Sequence, residues 1–247
     1  MGVRLKRYQK EFEHSYSFGV FATLELLRYR PEQVIQVLLA SKGERNSGAG
    51  KLKEACLARG IPAEVNDAAI ERLSPRESHL AVGVFRKYES HLDGAHNHVV
   101  LVNPSDMGNL GTIARTMAGF GLADLALIRP AVDALDPRAV RASMGALFQL
   151  SAAYYDDFNQ YRAEFDHRLY PLMTDGATPL AEARFSAPWA RFSAPWALVF
   201  GSEASGLGED FRELGTSLRI PQTERVDSLN LSVAVGIALY AAGSAGD

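Results

Sequence analysis

Three segments in the second half of the chain constrain its fold more than any other feature: Asn103 to Gly121 (NPSDMGNLGTIARTMAGFG), Phe200 to Gly208 (FGSEASGLG) and Arg219 to Leu231 (RIPQTERVDSLNL). Each combines glycine with one or two unshielded polar residues. Each reads as a loop at the carboxyl end of a β-strand, the edge at which open α/β sheets bind their ligands. The segments are widely separated in sequence, so only a folded sheet brings Asn109, Arg115, Glu203, Ser228 and Asn230 together. That grouping is the arrangement of a site.

The rest of the chain supplies such a sheet. Tyr16 to Tyr29 has helical spacing, Val34 to Leu39 is an apolar strand, Gly50 to Arg59 a helix and His79 to Phe85 a further strand, which together make a small α/β unit. The polar stretch Lys87 to His98 reads as a linker, and the pattern restarts with Val99 to Val102. The expected domains are residues 1–90 and 91–247. In the second, a helix runs from Asn109, a strand spans Asp124 to Ile128, and Asp136 with Pro137 opens another helix. A helix around Asp156 to Phe165, strands at Leu169 to Thr174, Ala197 to Gly201 and Leu218 to Ile220, and a closing helix from Ser228 complete it. This alternation predicts an α/β fold with a mainly parallel sheet.

Composition narrows the class. The 247 residues are 47% apolar and 22% charged, within the globular range. The single cysteine, Cys56, excludes an intrachain disulfide and a cysteine-rich metal site. No apolar run follows the basic start, and Ser228 to Ser244 is too short and too polar to cross a bilayer, so a non-membrane, cytoplasmic protein is expected. Residues 1–60 hold 11 Lys and Arg against 6 Asp and Glu, net +5, while the remainder holds 15 against 23, net −8. A locally basic amino-terminal region suits contact with a phosphate backbone, although a solvated face has the same composition.

Several familiar chemistries fail on spacing. Gly50-Lys51 is followed by Leu52, unlike a phosphate loop, and no GxGxxG opens a βα turn. GSEASG lacks the central serine of a nucleophile elbow. His91, His96 and His98 have no helical carboxylate framework around them, and no metal is expected. The exact tandem repeat ARFSAPW, at Ala183 to Trp189 and Ala190 to Trp196, is too short for a structural repeat and reads as a lengthened surface loop.

At the three opening segments the chain resembles the SpoU/TrmH family of RNA ribose methyltransferases, within the SPOUT superfamily. The residues that carry the resemblance are Asn109, Gly111 and Arg115 in the first motif and Gly201 to Leu207 in the second. In the third they are Ile220-Pro221 and Ser228 to Ala234, and RASMGALF at Arg141 to Phe148 also resembles the family. The similarity spans about residues 98–242, and residues 14–86 more weakly resemble the L30e-like substrate-binding domain that many members place in front.

The resemblance implies a trefoil-knotted catalytic domain, S-adenosylmethionine as cofactor, tRNA or rRNA as partner, and a homodimer. Gly201, Ile220 and Leu229 fall where the family contacts the cofactor. Asn109, Arg115, Glu203, Ser228 and Asn230 fall at its catalytic positions, with Arg115 acting together with an RNA phosphate. Each also has a plain reading: Asn109 is placed to cap its helix, and Ser228 or Asp227 to cap the last one. Where many members have a glycine after IP, this chain has Glu224, which puts a side chain near the cofactor. Two alternatives stand beside ribose methylation: a non-catalytic RNA-binding module of the same fold, and a base-methylating enzyme of the superfamily.

Overall fold

The computed structural model describes residues 5–43, 46–183 and 195–244. Apart from Ala183, Pro195 and Trp196, the ARFSAPW repeat lies outside the described residues.

The elements run in order β1 (His14–Phe18), α1 (Val20–Tyr29), β2 (Val34–Leu39), α2 (Ser47–Arg59), β3 (Ala63–Val65), α3 (Asp67–Leu73) and β4 (Ala81–Arg86). They continue with β5 (His98–Val102), α4 (Met107–Gly119), β6 (Asp124–Ile128), α5 (Pro137–Ala142), β7 (Ser151–Tyr155) and α6 (Phe158–Glu164). The last are β8 (Arg168–Leu172), β9 (Thr178–Pro179), β10 (Trp196–Phe200), β11 (Leu218–Arg219) and α7 (Leu231–Ser244). They fall into two compact units, one of Met1–Tyr88 with Asp133–Gln149, the other of Glu89–Val132 with Leu150–Asp247.

The first unit holds a four-stranded sheet ordered β1-β4-β2-β3, in which β4 is antiparallel to both neighbours and β2 runs parallel to β3. Leu26, Val37, Leu52, Cys56 and Phe85 are buried together with Phe148, whose ring meets Phe85 edge-on at 5.2 Å. Asp136 caps α5 as expected, accepting from the Arg138 amide at 2.8 Å.

The second unit is built on a seven-stranded sheet ordered β7-β6-β5-β10-β8-β11-β9, and every neighbouring pair is parallel. The expected mainly parallel α/β fold is present. Parallel strands share a direction, so the loops that follow β5, β10 and β11 leave from one edge. Those loops are the three motif segments. Asp106, not Asn109, caps α4, its carboxylate accepting from the Asn109 amide at 2.7 Å. The helix then buries Leu110, Ile113, Ala114 and Met117, and α7 packs against it with Val235, Ala238 and Leu239 buried.

Several sequence expectations need correction. The helical spacing from Tyr16 begins too early, because Tyr16 to Phe18 belong to β1 and Gly19, at φ 99, turns the chain into α1 at Val20. The closing helix starts at Leu231 rather than Ser228. His98 is not linker: it is the first residue of β5 and fully buried. Its Nε2 is 3.0 Å from the Asp93 carbonyl, which only accepts, so Nδ1 accepts from the Tyr161 hydroxyl at 2.9 Å. Elements β3, α3, β7 and β9 have no counterpart in the sequence reading.

Candidate active site

The second motif folds back on itself. Gly206, at φ +64, donates its amide to the Ser202 carbonyl at 2.9 Å, and the Ser205 amide donates to the Ser202 hydroxyl at 3.2 Å. A Cβ on Gly201 would lie 2.0 Å from the Gly206 carbonyl carbon and 2.3 Å from the Leu207 nitrogen, so only glycine fits where the loop leaves β10. The turn leaves Glu203 exposed at its tip.

Glu203 is where the motifs meet. One carboxylate oxygen accepts from Asn109 Nδ2 at 2.9 Å and the other from the Ser105 hydroxyl at 3.1 Å. Asn109 Oδ1 in turn accepts from Asn230 Nδ2 at 3.0 Å, and Asn230 Oδ1 accepts from the Ser232 amide at 2.9 Å and its hydroxyl at 2.7 Å. Asn109 in the first turn of α4, Glu203 in the loop after β10 and Asn230 just before α7 thus form one continuous network. Asn230 is also the residue that serves the first turn of α7; neither Ser228 nor Asp227 does so with its side chain.

Beside this network lies a cleft of about 510 Å³. Gly201, Ile220 and Leu229 line it, as do Glu203, Ser228 and Asn230. The remaining wall comes from Leu172, Met173 and Thr174 at the end of β8, Phe200, the second-motif turn, Gln222, Leu231 and Ala234. An apolar wall with a few convergent polar groups and exposed loop backbone is the usual character of a small-molecule site. The third loop is closed by Gln222, whose side-chain amide donates to the Asp227 carbonyl at 3.3 Å. Glu224 is exposed, and among described residues only Asn103 and Met144 are non-glycines with positive φ, so replacing a glycine at 224 carries no backbone strain.

Arg115 is the one predicted site residue that joins neither the network nor the cleft wall. It sits on the exposed face of α4 and has no hydrogen bond or ion pair with a described residue. Sequence reasoning missed Ser105 and Ser232, which the network shows to be supports, and the wall contributed by Leu172 to Thr174. The last group was findable, because the end of a parallel strand neighbouring β10 falls on the same edge.

A sequence profile of the SpoU rRNA Methylase family matches residues 96–240. An uncharacterized tRNA/rRNA methyltransferase of Archaeoglobus fulgidus is 31% identical over 207 residues, covering 83% of this chain and 89% of the relative. The 23S rRNA (adenosine(1067)-2'-O)-methyltransferase of Streptomyces laurentii is 30% identical over 205 residues, covering 77% of this chain and 73% of its own. A Synechocystis tRNA/rRNA methyltransferase, also uncharacterized, is 33% identical over 148 residues, and the chain spans about half (52%) of its length. Among solved structures, the AdoMet-bound rRNA methyltransferase of Sinorhizobium meliloti superposes with a TM-score of 0.76 at 26% identity, covering 93% of this chain and 87% of that one. The profile covers more than half of the chain and its motifs close a single site, so the protein belongs to the SpoU rRNA methylase family.

Proposed function

We propose that this chain is an S-adenosylmethionine-dependent RNA methyltransferase acting on a ribose 2'-hydroxyl of tRNA or rRNA. The observation that carries this reading is the polar network linking Asn109, Glu203 and Asn230 at the mouth of the cleft. The cleft suits the cofactor: Leu172, Ile220 and Leu229 offer apolar surface for a purine ring, and the Gly201 turn presents backbone where no side chain intervenes. When bound there, S-adenosylmethionine supplies an electrophilic methyl group.

The chain's own residues do the rest. A ribose hydroxyl is a weak nucleophile until its proton leaves, and a guanidinium ordinarily holds its protons. Arg115, exposed and without a partner among the described residues, therefore holds an RNA phosphate at the reacting nucleotide, and the hydroxyl proton passes to solvent at this exposed site. Asn109, Glu203 and Asn230 hold one another and orient the ribose, and Ser228 closes the pocket from the third loop. These residues are the catalytic set, and Gly201, Ile220 and Leu229 bind the cofactor.

The assembly and domain roles belong to the same reading. Val233, Ile237 and Tyr240 are 49%, 38% and 66% exposed at i, i+4 and i+7 of α7, an apolar stripe that supports a homodimer. The placement of β10 between β5 and β8, with α7 packed on α4, supports the trefoil knot. The amino-terminal L30e-like unit, the more basic part of the chain, is the RNA-selecting domain, and the site is in the cytoplasm. Among the described residues no helix is long and apolar enough to cross a membrane, and no group of His, Cys, Asp or Glu is arranged for a metal.

Calorimetric titration of S-adenosylmethionine into wild type and Leu229→Arg tests the cofactor site. Binding by wild type that the variant abolishes is expected; equal binding by both would overturn this placement.

A further inference from the structure

The carboxyl edge of the parallel sheet carries a second feature that the network does not use. Arg129, directly after β6, lies with its guanidinium carbon 4.8 Å from the centre of the Tyr154 ring on β7. Its Nε faces Asp156 at 3.3 Å, a pair in which both side chains are well solvated, 50% and 86% exposed. Both terminal nitrogens of Arg129 are without a partner among the described residues. The guanidinium is thus held over a ring and beside a carboxylate of this chain, and half of the side chain is open to solvent.

The setting is rigid. The Tyr154 hydroxyl donates to the Val132 carbonyl at 3.0 Å, and the Arg129 amide donates to the Tyr155 carbonyl at 2.9 Å. Asn103 Nδ2 donates to the Arg129 carbonyl at 2.7 Å, and the Val132 amide donates to the Pro104 carbonyl at 3.0 Å. The 129–132 loop is therefore bonded twice to the first motif, at Asn103 and Pro104, which directly precede Ser105, the residue that donates to Glu203.

We propose that Arg129, backed by Tyr154, is a stacking platform for an RNA base that flanks the methylated nucleotide. A planar guanidinium fixed on an aromatic ring offers its outer face to a base and its free nitrogens to a phosphate, a use of arginine common in recognition of unstacked RNA. The inference rests on the RNA methyltransferase reading.

Filter binding of bulk tRNA and bulk rRNA to wild type, Arg129→Ala and Arg129→Lys tests it, with calorimetry of S-adenosylmethionine on the same proteins. Arg129→Ala should bind RNA about tenfold more weakly, in the range of one lost base stack. Arg129→Lys should stay at least about fivefold weaker, because lysine keeps the charge and loses the plane. Cofactor affinity should be unchanged in both. Wild-type RNA binding with an unaffected Arg129→Ala overturns the platform alone, and a lysine variant equal to wild type reduces it to a charge and overturns the stacking. Failure of wild type to bind any RNA overturns the RNA reading and the platform with it.

Discussion

Asn109 Nδ2 stands 2.9 Å from Glu203 Oε1 across 94 positions of sequence. The contact joins the first turn of α4, the helix that follows β5, to the loop after β10, and it exists only because β5 and β10 are parallel neighbours in register, with Leu101 opposite Phe200. Asn109 is also the acceptor for Asn230, so one side chain holds two others in place.

Because the three residues share one hydrogen-bonded network, the effects of removing them should not add. Asn109→Ala and Asn230→Ala are each expected to lower kcat/KM about tenfold, the scale of a hydrogen bond to a charged or network-held group. The double variant should lose little more, with a coupling energy of about 1 kcal/mol. Steady-state methyl transfer on the four proteins checks this, and full additivity would show that the network is not a working unit.

Gly201 and Gly208 make an internal comparison within one motif. A Cβ at 201 meets backbone at 2.0 Å, whereas at 208 nothing lies within 4 Å. Gly201→Ala should therefore cost at least about tenfold in cofactor affinity and lower Tm, while Gly208→Ala leaves both near wild type. Calorimetry and thermal melts separate the two outcomes.

Acid should destabilise the protein through His98. Burial pushes its pKa below the usual 6.5, outweighing the hydrogen bond from its ring to the Asp93 carbonyl. Below pH 6.5 the unfolded chain takes up a proton that the native state resists, so this stability is present above 6.5 and is lost as pH falls through the lowered native value. His14 and His79 are lowered by burial as well and act in the same direction. His96, raised by its hydrogen bond to Asp124, acts oppositely but is 60% exposed and weaker. Tm should fall as pH drops below 6.5, and His98→Gln should flatten that fall; an unchanged slope would remove His98 as a source.

The site was more legible than the scaffold that supports it. Glu203 stood out because a polar residue in a glycine-flanked loop has little packing purpose, whereas Asn109 and Asn230 were picked out by the resemblance of their motifs to the family. β2 and β6 were readable to the residue, since each is a short, mostly apolar run, broken only by Gln36 in β2 and opened by Asp124 in β6. Ser105 and Ser232 were not, because a serine beside a turn or helix start already has a local explanation. Tyr16 to Phe18 were read as helix because apolar spacing over so few residues does not separate strand from helix; the break is visible only at Gly19. The packing of residues 133–149 in the first unit arises from contacts such as Phe85 with Phe148, which no local period reports.

The α7 stripe predicts the oligomeric state. Ile237→Asp places a charge in the middle of Val233, Ile237 and Tyr240, and should convert a wild-type dimer to monomer in sedimentation. Methyl transfer should fall with it, and a fully active monomer would sever the dimer from the reaction.

The central claim is tested most directly by incubating wild type and Arg115→Lys with bulk RNA and isotope-labelled S-adenosylmethionine, then digesting the RNA to nucleosides for mass spectrometry. The account predicts label on ribose as a 2'-O-methylnucleoside with wild type and a large loss with the lysine variant, whose charge lacks the guanidinium fork. Label on a base, or no transfer by wild type to any RNA, would contradict it.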